Sequence, residues 1–90
     1  MQFRQILRKL CNTPKGKAKF QELLIKYRHR MTEEEFRCLE DTYYRKLPSL
    51  TVADNLSRSS SHYFNVLKTS LSKLEMLIDD VTMREIIFLV

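Results

Sequence analysis

The sequence predicts an all-α fold of four to five helices, and three observations carry that prediction. Leu, Lys, Glu, Arg and Met, all good helix formers, dominate, while one glycine and two prolines leave little punctuation for hairpins. Apolar residues recur at i, i+3, i+4, i+7, the spacing of a helix face. One segment also opens with a capping box. Ninety residues bury a single modest core, so residues 1–90 are expected to form one domain.

Phe3, Ile6, Leu7 and Leu10 make one stripe of a helix over about residues 2–11, with Arg4, Arg8 and Lys9 on its other faces. NTPKGK ends it, because Pro14 disfavours helix in the residue before it and Gly16 loosens the backbone. A second helix is expected over about 17–30, where Phe20, Leu23, Leu24 and Tyr27 repeat the spacing above a basic exposed face. In MTEEEF, Thr32 is an N-cap with Glu35 three residues on, and the glutamates complement the helix dipole. This third helix runs to about Arg45, burying Met31, Phe36, Leu39 and Tyr43, and Pro48 breaks the chain after it.

Thr51 or Ser49 caps a short helix through VADNL, with Val52, Ala53 and Leu56 inward. SRSS supplies a turn, and a long C-terminal helix starts near Ser59. That helix carries Tyr63, Leu67, Leu71, Leu74, Ile78 and Val81, and from Leu67 onward the spacing averages the 3.5 residues of a coiled-coil seam. Two readings stand for the stripe: packing against the first two helices, or self-association into a homodimer. Residues 75–90 extend the helix into an apolar tail that includes Ile87 and Phe88, to be covered by the protein's own core or by a second subunit.

The net charge of +5 hides an asymmetry: residues 1–30 hold nine Lys/Arg against one acid, Glu22, and the other sixty hold seven against ten. A basic N-terminal arm thus sits on a mildly acidic body. Cys11 and Cys38 stand in no paired metal spacing, which predicts two reduced thiols and no metal site. Charges at residues 4, 8 and 9 interrupt the first apolar run, so neither a signal peptide nor a membrane span is expected there, and the expected location is the cytoplasm. His29 and His62 are isolated from plausible nucleophiles, and no glycine-rich phosphate loop is possible with one glycine. Neither an enzyme nor a cofactor is expected.

Residues 31–74, MTEEEFRCLEDTYYRKLPSLTVADNLSRSSSHYFNVLKTSLSKL, resemble region 4 of bacterial sigma-70-family factors and related helix-turn-helix proteins. Met31-Thr32 stand where that family has Leu-Thr, Leu39 and Tyr43 take core positions of the first helix, and Val52, Ala53 and Leu56 those of the second. Tyr63, Leu67, Ser70, Leu71 and Leu74 take the inward face of the recognition helix, without a gap in register. Such a module packs its second helix closely on the third and presents the third to the major groove. Two departures stand out. Ser57-Arg58 replace the usual glycine and apolar residue of the turn, and the outward face of the recognition helix is poor in Lys and Arg.

The resemblance implies a small transcription regulator binding double-stranded DNA, similar to the ArpU and RinA type carried by phages and mobile elements of Gram-positive bacteria, although this chain is shorter. Arg58, Ser60, Ser61, His62, Asn65 and Lys68 are then the DNA-facing residues, and Lys15, Lys17, Lys19, Lys26, Arg28 and Arg30 offer phosphate contacts. Phe64 has three readings: packed inside, against a thymine methyl, or in a protein interface. Leu71, Leu74, Ile78, Val81, Ile87 and Phe88, with Phe64, are the candidate dimer or partner surface. The rival expectation is a protein-binding modulator on the same scaffold, directed at RNA polymerase or a phage activator. The position of the basic helix relative to the recognition helix separates the two.

Overall fold

Most helices of this chain begin where a side chain satisfies the first free N–H groups. In the computed structural model, which describes residues 2–90, the chain forms six α-helices and, among the described residues, no strand. Helix α1 (Phe3–Leu10) starts as Gln5 Oε1 accepts from the Gln2 N–H at 3.0 Å. In α2 (Pro14–Lys26), Thr13 Oγ1 accepts from Gly16 N–H. This start corrects the expectation of a boundary near residue 17. Pro14 sits in the first helical position, where its fixed φ suits the helix and its missing N–H costs nothing. Gly16 is required there, because a Cβ would lie 1.6 Å from the Leu10 carbonyl oxygen.

A 3₁₀ turn (Arg28–Arg30) leads to α3 (Glu33–Leu39), whose capping box forms as expected: Thr32 N–H donates to Glu35 Oε1 at 2.8 Å and Glu35 N–H to Thr32 Oγ1 at 3.1 Å. The helix continues as a π-helical turn (Glu40–Tyr44), closed by Arg45 N–H donating to the Glu40 carbonyl at 2.9 Å. Lys46 then takes a left-handed φ of 54° and the helix stops. Helix α4 (Ser49–Asn55) follows Pro48 directly and has no side-chain cap, so neither Ser49 nor Thr51 serves as one.

Helix α5 (Ser60–Leu77) is capped by Ser59, whose Oγ accepts from His62 N–H at 3.2 Å. The long last helix expected from the sequence is in fact two. Ile78 has an extended ψ of 124°, and Asp79 caps α6 (Asp80–Leu89) by accepting from Thr82 N–H at 2.7 Å. That bond holds the Asp79 carboxyl below the usual carboxylate range. The break folds α6 back against α1 and α2.

Two apolar clusters result. The main one joins Phe3, Leu7 and Leu10 of α1, Phe20, Leu23 and Leu24 of α2, Phe36 and Leu39 of α3, Tyr43, Leu74 of α5, Ile78 and Ile86. Cys11 belongs to it, and burial pushes its thiol up to about 11. The second is small: Cys38, Val52, Ala53 and Tyr63, with Leu56 and Val66 at its edge. Burial raises the Cys38 thiol to about 12. Met31, Leu67 and Leu71 are half-buried. No described helix is long and apolar enough to cross a membrane.

Candidate functional site

Helices α4 and α5 are joined by a turn whose hydrogen bonds define it. Arg58 N–H donates to the Ala53 carbonyl at 3.0 Å and Ser57 N–H to the Asp54 carbonyl at 2.9 Å. This pair of bonds is the Schellman arrangement, with Ser57 at φ 55° in the left-handed position that glycine ordinarily fills. Ala53 is buried, so α5 crosses α4 at close range, and Tyr63 OH shares a 2.9 Å hydrogen bond with Thr42 Oγ1. An ion pair to a buried carboxylate fixes α5 on α3: Lys73 Nζ donates to Glu35 Oε1 at 2.9 Å. Burial acts to raise the Glu35 carboxyl, but the Thr32 N–H and the Lys73 ammonium outweigh it, leaving the group below the usual range.

On the outward face of α5, Ser61, Asn65 and Lys68 are exposed and Ser60 is half-buried. Arg58 and His62 stand differently. Glu34 accepts from both, with His62 Nε2 at 2.9 Å from Oε1 and Arg58 Nε at 3.4 Å from Oε2. The His62 hydrogen bond, helped by Arg58, holds the Glu34 carboxyl below its ordinary value. Phe64 is 54% exposed, its ring 4.9 Å from that of buried Tyr63. Its packed reading is therefore excluded.

The basic N-terminal cluster is divided. Helix α2 packs on α1, α6 and the π turn, whereas α5 packs chiefly on α3 and α4, with α1 beside it. Lys19 Nζ lies 2.6 Å from Glu85 of α6, which raises its pKa, and Arg28 pairs with Glu33 at 3.0 Å. Lys17 rests over the Tyr44 ring and Lys26 over Tyr27, while Lys15 and Arg30 are exposed. The basic helix therefore does not flank the N-terminal half of α5.

What does flank it is a groove of about 900 Å³ between α1, the loop after the π turn, and α5. Its charged lining is Arg4, Arg8, Lys46, Lys68 and one acid, Glu75, over a floor that includes Tyr43, Tyr63 and Leu67. Burial pushes the Tyr43 hydroxyl up to about 12, against the opposing pull of Arg8 and Arg4 nearby. Arg4, Arg8 and Lys46 are not among the site residues that the sequence leads one to expect. Their convergence depends on how α1 lies against α5, which no local spacing encodes.

The interface residues also separate. Leu74 and Ile78 are buried in the protein's own main cluster and Leu71 packs against it, so for these three residues the core-packing reading of the stripe holds and the dimer or partner surface is corrected. Val81, expected on the same stripe, is 65% exposed, and lies on the separate helix that follows the break at Ile78. Ile87 and Phe88 are exposed, Phe88 to 89%. Among the described residues no group of His, Cys, Asp and Glu is placed to hold a metal ion. Comparison with protein-family models, with curated proteins and with solved structures finds no match for this chain.

Proposed function

We propose that this protein is a small transcription regulator that binds double-stranded DNA through a sigma-region-4-like helix-turn-helix made of α4, the turn and α5. One observation carries the reading. The turn holds Ser57 at φ 55° in the place where the family has glycine, so the backbone conformation that glycine serves is present although glycine is not. Ser61, Asn65 and Lys68 then project from α5 toward base edges, where Asn pairs well with adenine. The likeness to regulators of phages and mobile elements belongs to the same proposal. So does a homodimer, with Val81, Ile87 and Phe88 of α6 as the surface offered to a second copy.

A second reading is favoured by the basic helix α2, which packs away from α5, and by Glu34 and Phe64. A carboxylate that occupies Arg58 and His62, beside an exposed aromatic ring, suits a modulator that docks on an activator or on RNA polymerase. Titration of the protein onto duplex DNA by fluorescence anisotropy at two salt concentrations separates the readings. Binding that weakens steeply with salt and is lost on Asn65→Ala with Lys68→Ala supports the regulator. Absence of binding at low salt rejects it in favour of the protein partner.

A further inference from the structure

We propose that the groove between α1 and α5 seats one phosphodiester strand of the bound duplex, with Arg4, Arg8 and Lys46 neutralising its phosphates; this rests on the DNA-binding reading above. The groove gathers cations from three separate segments of the chain around a single acid, Glu75. Such convergence leaves like charges side by side, an arrangement that an anionic occupant relieves.

The charges also lack acidic partners. Among the described residues Arg4, Arg8, Lys46 and Lys68 have no carboxylate within 4.0 Å, whereas Lys19, Arg28, Arg45, Arg58 and Lys73 each have at least one. Arg58 and Lys19, first candidates from the sequence, are thus occupied, whereas the four cations that line the groove make no ion pair. Their spacing fits a strand. Arg4 and Arg8 are one turn apart, about 6 Å along α1, close to two phosphate steps of about 3.4 Å along a duplex axis. Lys46 is held in place, its Nζ donating to Asn12 Oδ1 at 2.6 Å on a backbone fixed at φ 54°.

Position supplies the last argument. Phe64 and Lys68 of α5 line the same groove, so a strand lying in it runs beside the outward face of α5 and sets that helix's register on the bases. Phe64 is then placed for the apolar contact that thymine methyls offer.

The test uses the full chain and a labelled mixed-sequence duplex, with its separated strand as a second probe, titrated between about 50 and 200 mM salt. Replacing Arg4, Arg8 and Lys46 by Gln removes three charges from exposed residues that make no ion pair, so circular dichroism is expected to be unchanged. The slope of log K against log salt is expected to flatten by about 2.7, roughly 0.9 for each phosphate no longer neutralised. A control triple of Lys9→Gln, Arg37→Gln and Arg84→Gln removes the same charge from exposed residues that do not line the groove and is expected to keep the slope within about one unit. If the groove triple keeps the full slope, or the control flattens as far, the strand seat is overturned while the DNA reading stands. Tight binding to the single strand with none to the duplex overturns the seat as a duplex site. Absence of any binding by the unsubstituted protein overturns both.

Discussion

The two apolar clusters of this molecule differ in size and in what rests on them. The main one draws on α1, α2, α3, α5 and α6 together, while the second holds four buried residues under α4 and the first turns of α5. Helix α5 belongs to both, with Tyr63 in the small cluster and Leu74 in the large. Overall stability therefore resides at one end of α5 and the proposed reading surface at the other. A lesion in each should be felt differently.

Phe20→Ala strikes the larger cluster, where the ring is fully buried and meets Tyr43 edge-on at 6.0 Å. A loss of about 3–5 kcal/mol is expected, read as the shift of the urea midpoint, with all helices melting together. Val52→Ala empties part of the smaller cluster and is expected to cost about 2 kcal/mol. Its sharper signature is in hydrogen exchange, where α4 amides should lose protection while those of α1 and α2 keep it. Uniform loss of protection would show that the clusters do not open separately.

Ser57→Gly should stabilise the α4–α5 turn by about 0.5–1 kcal/mol, because the left-handed backbone costs a side chain what glycine avoids. Thermal unfolding reads it as a small rise in Tm. The smallest effect concerns Glu34. Its carboxyl is depressed by His62 and Arg58, so its contribution is present above the ordinary value of 4.5 and is lost as pH falls through the lowered folded value. Glu34→Gln should flatten the acid limb of Tm against pH relative to the unsubstituted protein, with the curves parallel at neutral pH.

Much of the larger cluster is legible in the sequence, and little of the site is. Phe3, Leu7 and Leu10, then Phe20, Leu23 and Leu24, stand at helical spacing and are buried accordingly, and the Thr32 capping box forms from its own four residues. The boundaries that differ from expectation are also local. Thr13-Pro14 starts a helix although proline and glycine so close together suggest a stop, and Asp79 with Thr82 is a cap hidden within a run of apolar spacing that continues across it. By contrast, the Glu34 contact spans 28 positions to His62, and Arg4 and Lys68 line one groove through tertiary packing alone. Charge on a linear chain shows how many cations exist, but only the fold shows which are already paired.

The two cysteines are placed by this architecture without being used by it. Cys11 lies in one cluster and Cys38 in the other, both fully buried and both held as protonated thiols at neutral pH. Neither can meet an alkylating reagent until the packing around it opens. The molecule therefore carries a clock for each half: the rate at which Cys38 reacts times the opening beneath the α4–α5 turn, and the rate at which Cys11 reacts times the opening of the body that carries it.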